Sequence, residues 1–265
     1  MTRRHAILRL EAPLLAFGAE MVDAHGPVRP FPAASMLTGL IANALGWRRW
    51  EAARHQRLQA RLVFAAVIDQ AARPLRDFQT AQLGKKDSGW TTLGRVETRD
   101  GGADTYKSPY IRIRDFWADA RVHVALRLDP AEEDDQPDLD DVARALDRPA
   151  RPLFLGRKSC PPATPIFAGL VDAPDALAAL ATGLARDDDT GQGARRRRGE
   201  TLGWRVALPG PAAEEAGDRL LRREEIWLTD ERDWRAGVHA GRRRVVVGWC
   251  APPIALATDA RGDGP

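Results

Sequence analysis

Cysteine is scarce in this sequence. The two that occur among 265 residues, Cys160 and Cys250, stand far apart and in neither a CxxC nor a zinc-type spacing. That argues against a disulfide scaffold or a structural metal and points to a reducing compartment. Long apolar runs are missing as well, and no stretch approaches the roughly 18 apolar residues of a membrane span. The opening segment places Arg3 and Arg4 ahead of apolar residues, but Arg9 and Glu11 interrupt them and no A-x-A cleavage pattern follows. A soluble, cytoplasmic protein without membrane contact is expected.

The usual marks of catalysis are also absent. His5, His25, His55, His123 and His239 are scattered, without HExxH spacing or a neighbouring nucleophile motif. There is no Walker-type glycine loop and no carboxylate cluster of the two-metal type. No catalytic residue, metal or cofactor is therefore expected. A metal-independent ribonuclease needs only a base, an acid and a cation near the phosphate. His25, Tyr106 and Lys107 are the residues that could converge in that way, although nothing in the sequence brings them together.

Hydrophobic residues make up 44% and charged residues 29%, a balance that builds a globular core, and the length holds one full domain plus a small second one. The net charge of +3 is too small to argue for nucleic acid by itself, so that case rests on where the arginines cluster. Residues 6–11 alternate as a strand, with Leu8 and Leu10 facing opposite to Ile7, Arg9 and Glu11. Ser35 is placed as the N-cap of a helix carrying Leu37, Leu40, Ile41, Ala44 and Leu45, which Gly46 terminates. A more polar helix is expected over 50–61, a strand over 62–68, and its hairpin partner over 73–79.

From 81 to 109 the apolar pattern stops, and glycines mix with Lys85, Lys86, Arg95, Arg99 and Lys107 in a functional or mobile excursion. Strands are expected at 110–114 and 121–128. In the second, Val122, Val124, Leu126 and Leu128 share one face, and Arg121, His123 and Arg127 the other. Asp138 caps a short helix with Leu139, Val142 and Leu146 on one side, and 166–172 reads as a further strand. This order is close to the βαββαβ plan of ferredoxin-like and RNA-recognition folds, an α+β architecture, although the aromatic signature of a standard RNA-recognition motif is missing. The charged segment 186–200, with its run Arg195 to Arg198, divides residues 1–185 from a small β-rich C-terminal region at 186–265. Strand-like pieces lie there at 202–208, 224–229 and 244–250.

Three segments could hold an anion. In the loop 155–162, Gly156 lets backbone approach closely while Arg157 and Lys158 supply charge. The entry to the first helix, from Arg29 to Ser35, offers a helix N-terminus. The excursion with Lys107, flanked by Arg76, Arg112 and Arg114, suits a finger gripping a single-stranded backbone. Each has an ordinary alternative: a solvated turn, a capped helix, a surface loop.

Taken in order, the segments ILRLEAPLLAFG (7–18), RPFPAASMLTGLIANALG (29–46), LRDFQT followed by LG (75–84), DARVHVALRL (119–128), PLFLGRKSCPPATPIFAG (152–169) and REEIW (223–227) resemble the CasD family. That family is the 5′-handle-binding subunit of type I-E CRISPR Cascade complexes. The resemblance implies a ferredoxin-like (RRM-like) N-terminal domain with an inserted β-hairpin thumb at about 78–110, plus the small β-rich C-terminal domain. It implies a non-catalytic subunit that caps the 5′ handle of crRNA and touches the Cascade backbone subunit and the large subunit, and through them target DNA. Arg29, Ser35, Arg76, Lys107, Arg112, Arg114, Arg157 and Lys158 would then be the RNA-binding residues. The alternatives are an endoribonuclease that processes repeat RNA and a purely structural bridge between subunits.

Overall fold

The computed structural model describes residues 2–68, 72–81, 89–90, 96–97, 109–131, 136–189 and 203–250. The first half contains β1 (Arg3–Leu15), β2 (His25–Gly26), α1 (Ala34–Ala44), α2 (Ala52–Arg61), β3 (Leu62–Val67), β4 (Arg73–Ala81), β5 (Gly89–Trp90) and β6 (Val96–Glu97). There follow β7 (Tyr110–Leu128), α3 (Leu139–Asp147), β8 (Phe167–Ala173), α4 (Ala176–Asp189), β9 (Trp204–Pro209) and α5 (Gly210–Ala216). The described elements continue with β10 (Leu221–Leu228), β11 (Arg232–Asp233), β12 (Val238–His239) and β13 (Arg243–Cys250).

A nine-stranded sheet runs β10-β13-β9-β3-β7-β1-β8, with β2 and β4 attached to β7. Every pairing in it is antiparallel except that of β2 with β7. The strands β9, β13 and β10, which lie C-terminal to residue 186, continue the same sheet, because β9 pairs with β3 at Ala66 and Val67.

The period-2 alternation of the strands decides which face each side chain serves. Leu8 and Leu10 of β1, Phe64 of β3, Val122, Val124 and Leu126 of β7 and Val245 and Val247 of β13 join Leu37 and Ile41 of α1, Leu58 of α2, and Val142 and Leu146 of α3. On the other face, Ile7, Val63, Ala65, Ala125, Val206, Leu208 and Val246 pack against Ala176, Leu177 and Leu180 of α4 and Ala212, Ala213 and Ala216 of α5. Alanines recur on that second face, and the helices come close to the sheet: a Cβ on Gly183 would lie 2.8 Å from Ile7 Cγ2.

Covering both faces changes the reading of β7. His123 and Arg127, expected on a polar face, are only 4% exposed, and Arg127 is buried against Glu215 of α5 and Asp129. Neither α4 nor α5 is in the sequence expectation. The Asp175 carboxylate accepts from Ala178 N–H (3.0 Å) and starts α4, whose alanine-rich composition favours helix without showing an amphipathic stripe.

Three local expectations are corrected. Residues 73–79 do not pair with 62–68; they pair with 112–118 of β7, from Arg73 opposite Ala118 to Ala81 opposite Tyr110. The pieces 110–114 and 121–128 are one strand, with Asp119 at φ 52° opposite Pro13, which has no N–H to give to the ladder. Ser35 does not cap α1. Ala33 occupies the N-cap, and Ser35 lies within the first turn. Gly46, at φ +78°, does end α1, and Asp138 forms a capping box with Asp141 on α3.

Candidate nucleic-acid interface

Beyond residue 118 β7 lies within the sheet; before it, the strand runs out as a ribbon with β4, flanked at Ile113 and Arg114 by the short strand β2. Opposed residues of an antiparallel pair share a face. Leu75, Asp77 and Gln79 therefore lie with Phe116, Arg114 and Arg112, and Arg76, Phe78 and Thr80 lie with Asp115, Ile113 and Ile111. The sequence-derived cations divide accordingly. Arg112 and Arg114 share one face with Tyr110, whose ring stands 5.3 Å from the Arg112 guanidinium.

Arg76 is on the other face, where its Nε donates to Asp115 Oδ1 (2.8 Å). Asp115 Oδ2 also meets His25 Nε2 at 2.6 Å. The Arg76 hydrogen bonds, followed by the His25 contact, hold the Asp115 carboxyl at about 2. Much of the charge of Arg76 is thus answered within the protein.

The parallel strand β2 places Gly26 beside Arg114. A Cβ there would lie 2.9 Å from Arg114 Nη1 and 3.0 Å from Arg157 Nη2, so this glycine leaves room for two guanidinium groups. Arg157 donates through Nη1 to the Asp115 carbonyl (2.8 Å) and through Nη2 to the Gly26 carbonyl (2.9 Å), with Phe116 beneath it at 4.8 Å. Burial, and next the charge of Arg114, lower its pKa. Arg157 is a clamp that joins the 155–160 loop to the base of the ribbon.

Gly156 in the same loop has φ +100°, and a Cβ on it would stand 1.8 Å from the Ala16 carbonyl oxygen. The close approach that this glycine permits is to the end of β1. Leu155 and Cys160 are buried, and Cys160 N–H donates to the Arg157 carbonyl (2.9 Å), which leaves Lys158 and Ser159 exposed at the tip.

Lys158, Arg157, Arg29 and Ser35 all line one cleft of about 950 Å³. Its walls are the chain after β1 (16–21), the first turns of α1, the 151–158 segment and the C-terminal loop 229–239. Arg29 is largely covered and ion-paired with Glu20, and its carbonyl accepts from Trp117 Nε1 (2.9 Å). The N-terminus of α1 already holds an anion. Ala34 N–H donates to Asp230 Oδ2 (3.2 Å), and Ser35 N–H to the Asp230 carbonyl (3.1 Å). Asp230 is 2% exposed and is paired in turn with Arg243, whose Nε lies 2.9 Å from its Oδ1. Ser35 Oγ points instead at His239 Nε2 (3.2 Å).

Of the eight sequence-derived residues, four line the cleft, Arg112 and Arg114 lie along the adjoining ribbon face, and Arg76 lies behind it. Lys107 is outside the described residues, as are Tyr106, Lys85, Lys86, Arg95, Arg99 and the run Arg195 to Arg198. The sequence reading missed the 229–239 wall. There Trp234 Nε1 donates to Gln59 Oε1 (3.1 Å), Gln59 Nε2 donates to the Arg232 carbonyl (3.0 Å), and the Trp234 ring lies 4.6 Å from that of His55. Its only sequence signal is a tryptophan set among charges, which no local pattern connects to α2 some 175 positions away.

Comparison with known proteins places these features in context. The family model described as CRISPR-associated protein (Cas_Cas5) matches residues 7–246. Over 180 residues the chain is 31% identical to the CRISPR system Cascade subunit CasD of Escherichia coli (strain K12), covering 67% of this chain and 76% of that one. A solved CRISPR RNA-guided surveillance complex contains a chain with the same fold, at a TM-score of 0.59 and 21% identity, over 94% of this chain and 91% of that one. A crystal structure of a Cas protein is similar at a TM-score of 0.53 and 21% identity, over 94% and 97%.

Proposed function

Because the chain belongs to the Cas_Cas5 family of CRISPR-associated proteins, we propose that it is a non-catalytic subunit of a type I-E Cascade surveillance complex that binds and caps the 5′ handle of crRNA. The observation that carries this reading is the alignment of Arg112 and Arg114 along one ribbon face, leading past Arg157 to the exposed Lys158 at the mouth of the cleft. Phosphates bind to such a row irrespective of sequence, and the cleft gives the end of a strand a place to stop.

The strand order β3-β7-β1-β8, with α1 and α2 before β3 and α3 before β8, supports reading residues 1–185 as ferredoxin-like. On that reading the β4–β7 ribbon is the stem of the thumb. The backbone subunit would meet the ribbon, and the large subunit would be bridged to it through this chain, as the sequence resemblance implies. Cytoplasmic residence follows from the same role.

Anisotropy titration of the full chain with handle RNA, at several salt concentrations, tests the site. Replacing both Arg112 and Arg114 by Ala should weaken binding to every sequence. It should also reduce the slope of log K against log salt by about 1.4, at about 0.7 per phosphate contact on a single strand. An unchanged slope would remove these residues from the interface.

The His25–Asp115 contact supports a second reading, a metal-independent endoribonuclease in which Asp115 orients a histidine base. Incubating the chain with repeat RNA in EDTA separates the two. Intact RNA supports capping, whereas discrete cleavage that His25→Ala abolishes makes the protein a nuclease.

A further inference from the structure

A second depression of about 830 Å³ adjoins the cleft and shares Gly39, Asn43, Arg151, Arg232 and Trp234 with it. It is lined by three tryptophans, Trp47, Trp50 and Trp234, and four arginines, Arg49, Arg151, Arg232 and Arg235, and no carboxylate is part of the lining among the described residues. The aromatic rings are ordered. Trp47 meets His55 edge-on at 5.6 Å, and His55 meets Trp234 at 4.6 Å.

Trp50 stands apart, 77% exposed, with the Arg48 guanidinium 5.8 Å from its ring. Arg151 and Arg232 are already engaged by backbone carbonyls, Arg151 with Trp47 O at 2.8 Å and Arg232 with Gly237 O at 2.5 Å. Arg49 and Arg235 are exposed and make no ion pair among the described residues.

A depression that combines an exposed tryptophan with two guanidiniums that make no ion pair among the described residues is poorly suited to an apolar partner. It fits a π-face carrying negative charge, which is a nucleotide. We propose that this depression is a second nucleic-acid subsite, in which a base of single-stranded RNA stacks on Trp50 while Arg49 and Arg235 take its phosphates. Trp234 and Arg232 form the wall common to both depressions, so one strand can pass from the cleft into the subsite. The inference rests on the RNA-binding reading above and extends the path by a nucleotide or two.

The test is a length series of single-stranded RNAs, titrated against the full chain and against Trp50→Ala. Trp50 lies on the surface, and the variant should keep the wild-type melting curve. Wild type should gain affinity as the RNA lengthens past what the cleft holds. In Trp50→Ala that gain should fall by roughly 5- to 150-fold, since base–aromatic stacking is worth about 1–3 kcal/mol, while affinity for the shortest RNA stays the same. Arg49→Ala with Arg235→Ala should reduce the salt slope by about 1.4 for long RNA only.

Equal affinities of wild type and Trp50→Ala at every length would overturn the subsite and leave the cleft standing. If wild type binds no RNA of any length, both readings fall together. If Trp50→Ala binds RNA normally but loses a protein subunit on purification of the complex, the surface is a protein contact and the subsite is wrong.

Discussion

Asp230 ties the start of α1 to β13. It accepts from the first N–H groups of α1 and pairs with Arg243 of β13, and both charges are largely removed from water. Asp230→Ala leaves Arg243 buried without a counter-charge and opens the start of α1. A loss of about 3–5 kcal/mol is expected from urea denaturation, the range for breaking a buried pair on one side. A loss below about 1 kcal/mol would mean that the pair is not what holds the C-terminal loop to α1.

Arg157 and Lys158 are neighbours with different duties. Arg157→Ala removes two charge-assisted hydrogen bonds to backbone and should lower stability by roughly 2–5 kcal/mol, at about 1.5–3 for each bond to a charged group before allowance for partial exposure. Lys cannot restore both bonds, because it has no fork. Lys158→Ala should leave the melting temperature unchanged and weaken only RNA binding. The double variant would mix the two effects, so the single variants are the informative ones.

Asp115 supplies a pH dependence. Its carboxyl is held at about 2, below the ordinary 3.8, so the stabilisation is fully present above 3.8 and is lost as pH falls through about 2. Asp115→Asn should therefore be less stable than wild type above pH 3.8, with the difference closing towards pH 2 in thermal melts. A difference that is constant with pH would show that the Asp115 charge is not the cause.

At the scale of elements, the sequence conveyed most where one local rule governs. β1, α3, β8 and the strands near 204–209, 221–228 and 243–250 follow their alternation, their cap or their apolar run, and lie within a few residues of expectation. Partnership was less legible. The 73–79 strand looked like a hairpin with 62–68 because the two are consecutive, yet nearly all of β4 is exposed and it pairs across the long excursion with β7.

The polar side of β7 misled for a related reason. Arg127 and His123 look solvated in sequence, but α4 and α5 bring Glu215 to Arg127 and cover them both. Those helices were missed because alanine, their main apolar residue, gives a weak amphipathic pattern. In the site, six of the eight cations and hydroxyls chosen from sequence fall on or beside the cleft. The reasons for choosing them were less accurate: Gly156 accommodates Ala16, and the α1 N-terminus receives Asp230, so neither offers an open anion cradle.

At the scale of the whole molecule, one sheet carries helices on both faces and extends a ribbon beyond them. The 229–239 loop closes one side of the cleft against α1, and the ribbon adjoins it on the side where Arg157 ties the 155–160 loop to β7. Net charge is small because acidic residues balance the arginines elsewhere, so the basic character is local and is set by the fold. On the proposed reading, this local surface would hold the end of the guide RNA while other surfaces meet the neighbouring subunits.

The most direct test is to tag the chain in its native host, purify it gently, and sequence the RNA that accompanies it. Guide RNAs that share one repeat-derived 5′ end are expected, recovered together with other Cascade subunits and lost when Arg112 and Arg114 are both replaced by Ala. Absence of RNA, or RNA with heterogeneous 5′ ends, would contradict the capping role.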